Sequence, residues 1–292
     1  MIINQTNLAT LNTGYKAAFN QGFKSASPVW PKIAEAVTST TSTALYAWLG
    51  TWPGLREWVG DRQVENLTRY DYAITNKQFE STVAVKQTDI EDDQYGVYAP
   101  MMKAMGTAAA NHPDQLVFNL LKDGFTTKCY DGQYFFDSDH PVGGTSVSNV
   151  QPGSNPAWFL LDTTQSLKPL ILQKRKDYKF TAITKPDSEA VFFRGEIIYG
   201  VDGRCNVGFG FWQQAFGSKD ELTRENFRAA YSAMRSFRSD QGVPLNISPN
   251  LLVVPPQLYA TARDLILAER DDKGATNTDR NLVQIIETGW LV

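Results

Sequence analysis

Cysteine and histidine are nearly missing from this chain: 292 residues contain two of each. Cys129 and Cys205 are too few for a disulfide framework and are not spaced as metal ligands, which fits a reducing compartment and predicts two free thiols. No run approaches the roughly 18 apolar residues that a membrane span needs. The opening MIINQTNLATLNTGYKAAF lacks a basic stretch followed by an apolar core, so neither a secretory leader nor a membrane contact is expected. Positive charge is not in excess either, since 28 Lys and Arg face 31 Asp and Glu for a net charge of -3. Such a balance offers no chain-wide grip on nucleic acid by counterion release and counts against a DNA-binding enzyme.

Hydrophobic residues make up 42% of the chain, enough for a substantial core in one large or two smaller domains. The most informative stretch is residues 46–95. Trp48, Trp52 and Trp58 stand close together beside Pro53, Gly54 and Gly60, which prevents a regular helix from folding them into a private core. Exposed aromatics at that density, with Arg56 among them, are typical anchors of protein contacts. Period-two alternation then runs from Tyr70, Tyr72 and Ile74 to Phe79, Val83 and Val85, and predicts two antiparallel strands turning near Asn76 and Lys77. An isolated hairpin is marginal in water, so this one is expected to rest on a second subunit. The candidate intersubunit contacts are therefore Trp48, Trp52, Arg56, Trp58, Tyr70, Tyr72, Lys77 and Phe79.

Elsewhere the pattern alternates between helix and strand. Residues 7–23 have helical spacing, and residues 25–43, with Pro28, Pro31 and TSTTST, read as a connector. Asp89, Glu91, Asp92 and Asp93 suit a helix start, ahead of a long helix over about 99–122 with Met101, Met105 and Ala108 on one face. Pro113 is expected to kink it and Gly124 to cap it. Residues 158–216 read as long antiparallel strands, including AVFFRGEIIYGV. Residues 222–237 return to a helix, and NLLVVPPQLYATARDLIL reads as strand, Pro break, helix.

Candidate chemistry is sparse. Asp137, Asp139 and His140 could be taken for a metal trio, but a site needs three or four converging ligands, and an Asp-rich turn before Pro141 is ordinarily held by its own hydrogen bonds. Gly208 and Gly210 lack the helix and Lys-Ser/Thr pair of a phosphate loop and suggest close packing instead. Lys174, Arg175 and Lys176 read as a solvated strand edge. No catalytic residue, metal or cofactor is expected.

The strings YAWLG, REWVGDR, NKQFESTVAV, DIEDDQYGVYAP, YDGQYFFDSDHP, YGVDGRCNVGFGFWQ and LLVVPPQLYATARDLI span nearly the whole chain. They resemble the Mu-like bacteriophage major head subunit family, whose members are similar in fold to HK97-type phage coats. The resemblance implies an α+β fold with an N-terminal arm (residues 1–44), an extended hairpin loop (45–90), a peripheral domain with a long spine helix (91–218) and an axial domain (219–292). It implies a major capsid protein of a tailed phage or prophage, assembled in the host cytoplasm into the virion as pentamers and hexamers of an icosahedral shell around double-stranded DNA. Partners implied are a separate scaffold protein, a maturation protease, a portal and a decoration protein. Lys77 and Lys86 would be the places to look for an isopeptide crosslink. The rival readings are another virion component, from tail or decoration, and a metal-dependent hydrolase built on Asp137, Asp139 and His140.

Overall fold

The structure, a computed structural model, describes residues 5–46, 49, 72–92, 96–185, 188–271 and 273–292. The first helix, α1 (Gln5–Ser25), leads through a 3-10 turn at Trp30–Lys32 to β1 (Ala34–Thr38) and β2 (Thr43–Leu45). Then come β3 (Ala73–Thr75), β4 (Lys77–Lys86), α2 (Gln87–Asp92) and the long α3 (Tyr98–Lys122). Short strands β5 (His140–Val142), β6 (Thr145–Val147), β7 (Val150–Gln151) and β8 (Trp158–Leu161) precede the longest pair, β9 (Leu170–Ile183) and β10 (Glu196–Phe209), which flank α4 (Glu189–Arg194). The chain ends with β11 (Ala215–Ser218), α5 (Arg224–Arg235), β12 (Leu251–Val254), α6 (Tyr259–Ile266) and β13 (Gln284–Glu287).

Two larger sheets organise these elements. One has the order β1-β9-β10-β4, with β1 parallel to β9 and the rest antiparallel; the other has the order β13-β12-β8-β11-β7. Strands β8 and β11 precede residue 219 yet pair with each other and, through β8, with β12 beyond it, so the second sheet straddles the expected division at residue 218. Apolar faces follow the same partition. Leu8, Tyr15 and Phe19 of α1 close one core with Met102, Phe180, Ile197 and Tyr199. The other core joins β8, β11 and β12 to Val117 and Phe118 of α3, Phe227 and Met234 of α5, and Ile266 of α6.

The α1–α3 crossing depends on two glycines. A methyl group at Gly22 would sit 1.9 Å from the carbonyl oxygen of Lys103, and one at Gly106 would sit 2.1 Å from that of Phe19. Backbone therefore meets backbone, as only glycine allows. Asp114, buried in α3, then fixes the segment after α1: its carboxylate accepts the backbone N–H groups of Val29 and Trp30 at 2.6–3.0 Å. The residues expected to form a loose connector are thus tied to the helix and lead directly into β1.

Several sequence expectations change. Helix α3 continues through Pro113, because buried residues on both sides of it, Ala109, Ala110, Val117 and Phe118, hold the helix in place. Of the face expected to point inward, Met101 and Met105 are half-buried against the core and Ala108 is exposed, while Met102 is fully buried. Gly124 lies in a 3-10 turn after α3, where its hydrogen faces the ring of Phe136; it is a packing glycine, not a left-handed cap. Asp89, Glu91 and Asp92 belong to the separate short helix α2. AVFFR is helix, not strand, ended by Gly195 at φ 62°. The largest change concerns residues 72–86. β3 and β4 follow each other with only Asn76 between them but do not pair: β3 pairs with β2, and β4 lies along β10. Alternation reports which face a residue takes but not which strand lies beside it, and the long β10 outcompetes a local turn.

Replacing Gly106 with alanine is expected to force α1 away from α3 and lower unfolding stability by about 1–3 kcal/mol, as overpacking does. Urea unfolding of the unassembled chain would measure it, with the exposed Gly14→Ala in the same α1 as the control expected to lose nothing.

Candidate assembly surface

Tyr46 and Tyr72 meet in a foot at the end of the β2–β3 pair, where the Tyr46 N–H donates to the Tyr72 carbonyl at 2.8 Å and Leu49 beyond Tyr46 is buried in the larger core. Beneath this foot lies a buried polar hub. The Tyr46 hydroxyl donates to Gln173 Oε1 at 2.9 Å, and Gln173 Nε2 donates to Asn76 Oδ1 and to the Ile74 carbonyl, both at 3.0 Å. Asn76 Nδ2 in turn reaches Ser39 Oγ and the Thr41 carbonyl. Gln173 is fully buried, at the point where the apolar run Leu170–Leu172 of β9 ends. A lone amide in such a run is the signal that sequence reading passed over.

The candidate contact residues divide around this foot. Trp48, Trp52, Arg56, Trp58 and Tyr70 lie outside the described residues. Tyr72 is engaged within the chain, its hydroxyl oxygen accepting the Phe209 N–H at 2.8 Å, and burial pushes the phenol up to about 12. Lys77 and Lys86 are exposed at the two ends of β4, in a sheet and not in a hairpin. Phe79 packs edge-on against His112 of α3, with ring centres 4.3 Å apart. Together with Val83, Met101, Met105 and Trp290 it lines an open groove of about 670 Å³ between β4 and α3. His112 also bonds the Tyr178 hydroxyl, which approaches Cys205 Sγ at 3.6 Å.

The expected basic edge is divided. Lys174 sits where β9 has neighbours on both sides and lies over the Trp30 ring; β1 has ended by Lys176, which pairs with Asp202 of β10. Gly208 and Gly210 are close-packing positions, the first against Ile74 and the second against the Lys168 carbonyl.

Asp137, Asp139 and His140 do not converge. Asp137 accepts the backbone N–H groups of Tyr134 and Ser138, as an Asp-rich turn should, and Asp139 is exposed. His140 turns instead to Asp131, at 2.6 Å, and to Asn149 Oδ1, at 3.2 Å, and stacks on Trp212 with ring centres 4.0 Å apart. Cys129 donates to the other oxygen of Asp131 at 3.0 Å, so Cys129, Asp131 and His140 lie within 4.8 Å of one another. Burial would raise the Asp131 carboxyl, but the hydrogen bond and charge of His140 outweigh it and hold it below the usual range. Burial pushes the Cys129 thiol up, away from the nucleophilic thiolate. Asn149 completes the knot, its Nδ2 donating to the carbonyls of Phe135 and Ala215. Each member is already hydrogen-bonded to another, so the arrangement staples residues 129–149 to β11.

Gln173→Leu would take away the acceptor of the Tyr46 hydroxyl and the donor to the Asn76 amide oxygen, and is expected to cost about 1–3 kcal/mol in a urea titration, since a buried polar group that loses its partner is expensive. Burial lowers the His112 imidazole from its ordinary 6.5. The unfolded chain then takes up the proton first, so stability is complete above pH 6.5 and declines as pH falls from there to the lower folded value. His112→Gln is expected to remove that component from stability measured between pH 7 and pH 5.

Comparison with known proteins bears on the whole chain. Residues 8–291 match the family described as Mu-like prophage major head subunit gpT. The chain is 46% identical over 271 residues to the Mu-like prophage FluMu major head subunit of Haemophilus influenzae, covering 89% of this chain and 88% of that one. It is 39% identical over 305 residues to the major capsid protein of Escherichia phage Mu, covering 100% of both. Among solved structures, the chain in the procapsid of bacteriophage JBD30 is 48% identical with a TM-score of 0.86, covering 99% of this chain and 100% of that one. The JBD30 capsid chain is 36% identical with a TM-score of 0.82, covering 100% of both. A JBD30 capsid decorated with minor capsid protein trimers gives 38% and 0.80 over 92% of each chain.

Proposed function

The chain belongs to the Mu-like prophage major head subunit gpT family, and from that premise we propose that its copies build the pentamers and hexamers of a closed icosahedral shell around double-stranded DNA. It is a major capsid protein of the Mu-like kind, a structural component of the virion with the α+β fold of HK97-type phage coats, and not an enzyme. Its copies self-assemble. One observation carries the reading: the likeness to the JBD30 procapsid chain extends over 99% of this chain at a TM-score of 0.86.

The finer assignments rest on the two cores. The peripheral domain would be the β1-β9-β10-β4 sheet with α1, α3 as its spine helix, α2 and α4. The axial domain would be the β13-β12-β8-β11-β7 sheet with α5 and α6. The sequence between Tyr46 and Tyr72 would supply the extended loop, lying on a neighbouring copy through Trp48, Trp52, Arg56, Trp58 and Tyr70, since large aromatics and Arg dominate interface energy. Lys77 and Phe79, beside the groove on α3, would serve on the receiving side, with Tyr72 at the loop's foot. A scaffold protein, a maturation protease, a portal and a decoration protein complete the proposed partners. DNA would be enclosed without sequence-specific binding, in keeping with a net charge of -3.

Electron microscopy of the purified chain, alone and coexpressed with adjacent scaffold and protease genes, is expected to show closed shells with fivefold and sixfold clusters. Single copies under every condition would overturn the reading. Trp58→Ala is expected to reduce shell yield about tenfold or more while leaving unfolding of the unassembled chain unchanged, as loss of an interface anchor does; normal yield would remove the anchoring role.

A further inference from the structure

Phe192 and Phe193 are 73% and 77% exposed, more than any other large hydrophobic side chain among the described residues. They sit side by side on α4, the short helix at the end of the β9–β10 pair, with ring centres 5.1 Å apart and planes nearly perpendicular. The structure holds them outward. Val191 of the same helix is buried in the core under α1, and the Gly195 N–H donates back to the Val191 carbonyl at 3.1 Å. The Gly195 carbonyl accepts the Gln87 N–H at 2.8 Å, and Ser188 Oγ donates to the Lys185 carbonyl at 2.6 Å. Fixed at both ends, the helix cannot turn Phe192 and Phe193 inward without withdrawing Val191. At the same end of the sheet, Ala84, Ile198 and Ile183 stand in one cross-strand row, and Ile183 is 47% exposed.

An aromatic ring of this size offers about 150–250 Å² when fully exposed, so the pair presents roughly 300 Å² of apolar surface. A stable pairwise complex buries roughly 800 Å² on each partner, well beyond this patch. The same small area suffices where each contact is one of many in a closed lattice, because weak interfaces then reinforce one another. We propose that α4 docks on a second copy of this chain in the assembled shell, with Phe192 and Phe193 as the buried contact; the proposal rests on the shell-forming reading above.

The photocrosslinker p-benzoylphenylalanine at position 193 is expected, on irradiating assembled shells, to give a species of twice the chain mass in which position 193 is joined to another copy. Unassembled chain should give none. The double variant F192S/F193S is expected to melt with the original chain while unassembled and to form about tenfold fewer shells at equal concentration, the effect expected of a central aromatic contact. Full shell yield from that variant would overturn the proposal, as would intact shells in which position 193 joins a different protein or nothing. If the unaltered chain forms no shells, the shell reading itself falls, and the docking proposal with it; that result appears in the control alone.

Discussion

A buried amide decides how this chain is laid out. Gln173 is enclosed in β9, and its two functional ends are used in opposite directions, the oxygen toward Tyr46 and the nitrogen toward Asn76 and Ile74. Those partners come from β3 and its end and from Tyr46 just after β2, distant in sequence from β9. Because an unpaired buried amide is costly, the arrangement of β2, β3 and β9 that satisfies all of them at once is favoured. The break at Asn76 has the same origin: its side chain bonds Thr41 and Gln173, and the chain passes from the small β2–β3 pair into the large sheet as β4.

From that point the architecture separates by the kind of contact each part makes. Inside a copy, helices meet through glycine-permitted backbone contact at Gly22 and Gly106, and loops are held by buried charge at Asp114 and by the Asp131, His140 and Asn149 knot. These are specific contacts that are costly to break. Among the described residues, the α3–β4 groove and the α4 tip are small pieces of exposed apolar surface. Keeping each piece small matters, since large exposed patches invite aggregation.

The sequence was most legible where a single element contains its own signal. Helix α5 appears at Phe227, Ala230 and Met234 as its period demands, with Thr223 accepting the Asn226 N–H at its start, and β12 followed by α6 is bounded by Pro255. Family likeness could be read from strings scattered over the whole chain. Less legible was whatever depends on a distant partner. The pairing of β4 with β10, the parallel approach of β1 to β9, and the helical state of AVFFR between two long strands are tertiary outcomes that period-two alternation cannot express. Residues 137–140 show both sides: the hydrogen bonds Asp137 accepts within its own turn are local and readable, whereas the partner of His140 is Asp131, set by how the loop folds back.

The joined ends at Tyr46 and Tyr72 also bear on how such a chain can diversify. One backbone hydrogen bond holds these two residues together, so the number of residues joining them has little effect on the body's stability. Loop-closure entropy grows only logarithmically, and doubling the segment would cost only about 0.6 kcal/mol. Selection can therefore lengthen, shorten or rewrite the connection beyond Leu49, which is itself in the larger core, while the two cores stay as they are.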